Sequence, residues 1–143
     1  MIAGLAALVI AAVYTGAAAY VKVVELPVLL ALDDPAMLTG WKFALKRGFL
    51  MQAPFCVLGF LLGAWAWWQT RAIGDAIGAL AMLANIPWTL AVIAPINTAL
   101  QKLAPNASGG EARALIRRLG SLHAVRTALG VVGVIAFFLG VAN

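Results

Sequence analysis

His123 and Arg126 stand three residues apart, about one helical turn, in a chain with few charged side chains. Histidine ordinarily titrates near neutrality, and arginine carries a permanent positive charge. Elsewhere the sequence sets a carboxylate, Glu25, in the stretch Lys22-Val23-Val24-Glu25. Neutral hydrogen-bonding side chains, Gln52, Asn85, Thr89 and Asn97, interrupt otherwise apolar stretches. Asn85 and Thr89 are four residues apart, as are Asn97 and Gln101, so each pair shares a helix face. Tyr14, Ala18, Lys22 and Glu25 follow i, i+4, i+8, i+11 spacing and should share a face as well. A base, a fixed cation, a carboxylate and several amides could move a proton or grip the polar group of a lipophilic molecule. Their predicted convergence carries this reading, because each has a plainer role. Lys22, Lys42 and Lys46 would serve as interfacial anchors. Asn85 and Asn97 would serve carbonyls freed by Pro87 and Pro95, and Glu25 with Arg126 would be a structural ion pair. Gln52 would be a helix–helix hydrogen bond, and His123 an interfacial histidine.

Other chemistries find little support. There is no G-x-x-x-x-G-K-[ST] phosphate loop and no G-x-G-x-x-G fingerprint. One histidine cannot give bis-histidine haem ligation, and His123 with Glu25 is a thin ligand set for a metal. No metal is therefore expected. The single Cys56 excludes an intramolecular disulfide. Asn106-Ala107-Ser108 is a formal glycosylation triplet that reads as a plain turn.

The elements that must position these residues are membrane helices. Of 143 residues, 64% are hydrophobic and 10% charged, against about 25% charged in soluble domains. Four segments are long enough to cross a bilayer, at about 2–25, 48–69, 76–100 and 124–142. The fold expected is all-α: a single four-helix transmembrane domain, residues 1–143, with a kinked third helix. Lys22, Lys42, Lys46 and Arg47 surround the first connection; Lys102, Arg113, Arg117, Arg118 and Arg126 surround the third. The second has only Arg71. The positive-inside rule then places connections one and three in the cytoplasm. The expectation is an integral protein of a bacterial inner membrane with both termini extracytoplasmic. The net charge of +5 thus reports orientation, and no nucleic-acid partner is expected. The partners expected are the bilayer and a small lipophilic or aromatic ligand; a homo-oligomer stays open.

Helix 1 should end or kink at Pro27. Asp33-Asp34-Pro35 reads as a helix start, an acidic cap followed by proline. The helix from there to Thr70 would be roughly 54 Å long, with Gly40 or Gly48 as break points. Trp65, Trp67 and Trp68 fit an outer aromatic belt. Gly59 and Gly63 have the GxxxG spacing of close helix packing. Pro87 and Pro95 should kink helix 3, and Pro105 to Gly110 reads as a loop. This topology puts Lys22, Glu25, Lys46, Arg47, Gln52, Asn97, His123 and Arg126 at the inner helix ends, with Asn85 and Thr89 deeper.

The stretches "TGAAAYVKVVELP", "WKFALKRGFLMQ", "NIPWTLAVIAPINTAL" and "LHAVRTALG", in this order and spacing, resemble the anthrone-oxygenase-like family (DUF1772) of small four-helix membrane proteins. The resemblance spans nearly the whole chain. It marks Glu25, Pro27, Trp41, Arg47, Gln52, Asn85, Pro87, Thr89, Pro95, Asn97, His123 and Arg126. The family often has histidine where this chain has Leu26 and tyrosine where it has Leu45. Some fungal members are linked to oxidation of anthrones to anthraquinones by molecular oxygen. The resemblance implies an oxygenase or oxidase of a lipophilic aromatic substrate, working without a cofactor in a pocket near the inner leaflet. His123 would be the base, Arg126 would hold the substrate anion, and Glu25 would orient the imidazole. Gln52, Asn85, Thr89, Asn97, Arg47 and Trp41 would bind substrate. Two alternatives stand beside this: a non-enzymatic binder or transporter of a small lipophilic molecule, and a structural membrane subunit.

Overall fold

The computed structural model describes residues 2–104 and 110–142. The described residues form helices and connections without a strand. Four helices are long and apolar enough to cross a membrane: α1 (Ile2–Leu30), α2 (Asp34–Thr70), α3 (Ile73–Lys102) and α4 (Glu111–Ala142). Each packs on its sequence neighbours, and α4 closes the ring against α1. One end of the bundle carries the Arg71 turn. The other, here the basic end, carries the corner between α1 and α2. Large side chains on the outside, such as Val9, Leu61, Leu80, Val132 and Phe138, are exposed and would face lipid. Residues 105–109, which hold the Asn106 triplet and most of the expected loop, lie outside the described residues.

Local sequence explains most of the helix ends. Asp33 caps α2 by accepting a hydrogen bond from the Ala36 N–H at 2.9 Å, with Pro35 in the first turn. Arg71 ends α2 in the left-handed region, at φ 59°, and its guanidinium lies over the rings of Trp67 and Trp68. The expected break at Gly40 or Gly48 does not occur; α2 runs unbroken for 37 residues. Pro27 does not end α1 either. A π turn, Val21–Glu25, precedes it, and the helix continues through Leu26–Leu30. The same device recurs in α3, where a π turn at Thr89–Ile93 precedes Pro95 by the same two residues. A π turn is wider than an α turn, and it absorbs the carbonyl that a proline four residues on cannot bond. It also resets the register. Val21 is buried and Lys22 exposed, so Lys22 leaves the face it was expected to share with Tyr14, Ala18 and Glu25.

The two halves of the bundle pack differently. Away from the basic end, small residues let the helices approach closely. A Cβ on Gly63 would lie 2.5 Å from the Phe137 ring, and one on Gly78 would lie 2.6 Å from it. With no hydrophobic drive between helices in lipid, such van der Waals fit is what holds them. Ala7, Ala11, Tyr14, Ala18, Cys56, Met82 and Phe137 form the core there. Toward the basic end the core is built from larger side chains, among them Leu26, Met37, Trp41, Ile93, Leu100 and Ile116. Arg113 ties this end together. It makes an ion pair with Asp34 at 2.6 Å and donates to the carbonyls of Leu30 and Leu32. In the sequence Arg113 is one more orientation charge; in the fold it locks α4 onto the corner between α1 and α2.

Candidate functional site

Tyr14, Gln52, Asn85 and Arg126 each sit near the middle of a different helix. All four are buried. Arg126 Nε donates to Tyr14 Oη at 3.1 Å, and the Tyr14 hydroxyl donates to Asn85 Oδ1 at 2.8 Å. Asn85 Nδ2 donates to the carbonyl of Ala81 at 3.0 Å, which fixes its amide orientation. Arg126 Nη2 donates to Gln52 Oε1 at 2.9 Å, and the guanidinium lies 5.6 Å from the Tyr14 ring centroid. The Tyr14–Asn85 bond joins α1 to α3, and the Arg126–Gln52 bond joins α4 to α2. Both diagonals of the bundle are therefore bridged at one level. Gln52 and Arg126 were expected at the inner helix ends; they lie at the level of Asn85, because α2 and α4 extend well past the apolar segments at the basic end.

On the basic-end side of this network lies a cavity of about 290 Å³, close to the lower limit of about 300 Å³ for ligand pockets. Gln52, Asn85 and Arg126 line it together with Glu25, Trp41, Thr89, Asn97 and His123. The remaining wall is mainly apolar and includes Val21, Leu45, Phe49, Leu90 and Ile93. Both π turns contribute, through Val21 and Glu25 on α1 and through Thr89, Leu90 and Ile93 on α3. Thr89 Oγ1 itself donates to the Asn85 carbonyl at 2.7 Å. His123 Nδ1 is buried without a hydrogen-bond partner among the described residues. Leu26 and Leu45, at the two positions where histidine and tyrosine were noted as common, are cavity wall and keep it apolar.

Three expectations need correction. Glu25 does not orient the His123 imidazole: the two form no ion pair, and the imidazole Nδ1 has no hydrogen-bond partner among the described residues. Glu25 and Arg126 do not pair: the hydrogen-bond partners of Arg126 are Tyr14 and Gln52, and Glu25 forms no ion pair among the described residues. The π turn reorients the end of α1, leaving Glu25 half-buried at the cavity wall. Arg47 does not line the cavity. It is exposed, stacks on Phe43 at 5.8 Å and bonds the carbonyl one turn back on its own helix. The sequence reading also missed participants. Tyr14, by spacing only one member of a helix face, links Arg126 to Asn85; the hint is a phenol in the midst of an alanine-rich span. Cys56 lines the cavity as a buried free thiol, which no spacing rule singles out.

Arg126 is thus a cation inside the bundle whose hydrogen bonds go to neutral groups. It keeps donors to spare at the wall of a largely apolar chamber. Such a chamber suits a molecule that is mostly hydrocarbon and carries one oxygen able to become negative. Beside it stands the imidazole of His123, whose Nδ1 is buried without a hydrogen-bond partner among the described residues. The arrangement has the parts needed to remove a proton from a bound molecule and hold the resulting anion.

Comparison with known proteins gives the chain its relatives. The family model described as anthrone oxygenase matches residues 41–136. This stretch covers Trp41, Gln52, Asn85, Thr89, Asn97, His123 and Arg126. The curated protein "Anthrone oxygenase tpcL" of Aspergillus fumigatus is 31% identical, the match covering 78% of this chain and 76% of that relative. No solved structure matches the chain. The order of apolar helices, the polar residues at their middles and these two matches agree: the chain belongs to the anthrone oxygenase family.

Proposed function

We propose that the protein is a membrane-embedded oxygenase that converts the activated CH2 group of a lipophilic, hydroxylated aromatic into a carbonyl, using molecular oxygen. The observation that carries this reading is Arg126, a buried guanidinium with neutral partners at the wall of an apolar cavity. A charge in such a place is costly, and an anion formed on bound substrate offsets that cost. The relative's name supplies the reaction class.

In this scheme His123 takes a proton from the CH2 group, and the electron pair spreads into the ring system and onto the oxygen held by Arg126. The electron-rich anion passes one electron to oxygen, and the two radicals combine into a carbon–oxygen bond. The peroxide so formed takes up a proton. Loss of the second hydrogen from the same carbon breaks the O–O bond, leaving a ketone and water. The balance is one CH2 and one O2 in, one C=O and one H2O out. Gln52 and Asn85 orient the substrate oxygen, and Trp41 and Leu45 supply flat apolar wall. Glu25 receives protons at the cavity wall without touching Arg126. The dry cavity dissolves oxygen and keeps bulk water from quenching the anion.

The test is oxygen uptake by purified protein with 1,8-dihydroxyanthrone, corrected for autoxidation, with wild type, His123→Ala and Arg126→Met at equal folded amounts. Loss of the base should lower turnover by about 10²- to 10⁴-fold. Loss of the cation should lower it by about 10²- to 10³-fold. Turnover that survives His123→Ala removes the histidine as base. Tight binding without oxygen uptake favours a carrier over an enzyme.

A further inference from the structure

A cavity inside a membrane bundle must be entered from water at one end or from lipid at the side. The walls from α1 and α4 are closed or nearly so: Val21, Leu26, Leu119 and Arg126 are buried, and Glu25 and His123 are partly so. Three lining residues are instead widely exposed: Phe49 at 57%, Val57 at 44% and Leu90 at 62%. All three come from α2 and α3. These two helices pack closely from the Arg71 turn to Trp88; beyond the π turn at Thr89, α3 leans on α4 and leaves α2. The opening is bounded above and below. On one side Gly59 meets Met82 so closely that a Cβ there would lie 2.9 Å from Met82 Cε. At the basic end, Met37, Leu38 and Trp41 share a core with Ile96 and Leu100, and Lys42 Nζ donates to the Leu103 carbonyl at 2.9 Å.

Gly48 sits at this opening. It lies inside a 37-residue helix, where glycine is less favourable than alanine. Neither packing nor dihedral angle requires it: a Cβ there meets nothing within 4 Å, and its φ is not in the left-handed region. What its missing side chain provides is open space at the cavity wall.

We propose that the cavity is loaded sideways from the bilayer, through a window between α2 and the basic-end half of α3, with Gly48, Phe49 and Leu90 at its rim. The ligand class is a flat, weakly acidic aromatic dissolved in lipid. It slides in ring first between Phe49 and Leu90 until its oxygen reaches Arg126. The ordering follows from the walls: the window side is apolar, and the cation lies on the far side, on α4. The inference rests on the cavity being the binding site, but its test needs no turnover.

Cys56, the chain's one cysteine, lines the cavity and reports access to it. The protein is reconstituted in phosphatidylcholine vesicles and labelled with N-cyclohexylmaleimide, which partitions into lipid, or with a sulfonated methanethiosulfonate, which stays in water. A second reporter, Ala53→Cys in a Cys56→Ala background, guards against an unreactive thiol; Ala53 also lines the cavity. The maleimide should label both reporters, and the sulfonate should label them at least a hundredfold more slowly from either side. Gly48→Phe and Leu90→Trp, on different helices, should each slow maleimide labelling at least tenfold. Gly16→Phe is the matched control. Its Cβ also meets open space, but on α1 away from the window, and it should label at the wild-type rate. Circular dichroism and gel filtration confirm the fold of each. Wild-type labelling rates in both window variants would overturn the proposal. Fast labelling by the sulfonate would replace the window with an aqueous route, and no labelling of either reporter would show a closed cavity. If labelling follows the window but no anthrone is ever oxidised, the entry route stands and the oxygenase reading falls.

Discussion

Replacing Arg126 with methionine should separate activity from stability. A guanidinium at mid-membrane costs about 2.5–3.5 kcal/mol by insertion scales, and Arg126→Met removes that cost while keeping much of the side-chain volume. Against it stand the two hydrogen bonds, to Tyr14 at 3.1 Å and Gln52 at 2.9 Å, at about 0.6–1.5 kcal/mol each. The contact with the Tyr14 ring at 5.6 Å adds about 0.5–1 kcal/mol. Loss and relief nearly cancel, so stability should change by no more than about 2 kcal/mol in either direction. Tyr14 keeps its bond to Asn85, and no carboxylate is stranded. Oxygen uptake with an anthrone should meanwhile fall by about two orders of magnitude or more. Reversible unfolding in mixed micelles measures the first quantity and an oxygen electrode the second. A loss of about 3–5 kcal/mol, the cost of stranding a buried counter-charge, would instead mean that Arg126 is a structural ion-pair partner.

Three further outcomes follow from the packing. Glu25→Gln and Arg126→Met should be additive in a double-mutant cycle to within about 0.5 kcal/mol, since the two side chains do not meet; a larger coupling energy would restore the ion pair. Arg113→Ala removes one ion pair and the donors to Leu30 and Leu32. It should destabilise by about 1–3 kcal/mol, with hydrogen exchange rising first at the corner between α1 and α2. Gly63→Val places a branched side chain where Phe137 already sits. It should cost about 1–3 kcal/mol, seen as lower thermal stability, and Phe137→Ala in the same chain should recover part of it.

Much of this architecture is legible in the sequence because lipid imposes simple rules. Four long apolar runs, the acidic cap at Asp33 and the polar positions Gln52, Asn85, Asn97, His123 and Arg126 are all visible as interruptions of an apolar background. What the sequence hides is register. A helical wheel with uniform spacing puts Lys22 beside Glu25, whereas the π turn before Pro27 turns Lys22 outward. The proline is visible; whether the helix stops, kinks or widens is decided by neighbours it packs against. Charge pairing misleads for a related reason. Glu25 and Arg126 attract on paper, but Tyr14 and Gln52 reach the guanidinium from the same level of the bundle. Arg47 shows a third limit, since the sequence gives its depth and not its direction.

Orientation is an expectation from Lys and Arg placement alone. A reporter fused after Asn143 that works only in the cytoplasm should stay silent, and a strong signal would invert the bundle. The proposed chemistry would survive inversion, because it depends on the cavity and not on which side the basic end faces.

Whether this chain inserts oxygen is decided by isotope labelling. Purified wild-type protein is mixed with 1,8-dihydroxyanthrone under ¹⁸O2 in ordinary water, and the product is weighed by mass spectrometry beside an Arg126→Met sample. The product should be a quinone whose new carbonyl carries ¹⁸O, formed far faster with wild type than with Arg126→Met. Equal rates in the two samples, or a carbonyl oxygen drawn from water, would contradict oxygen insertion by this chain.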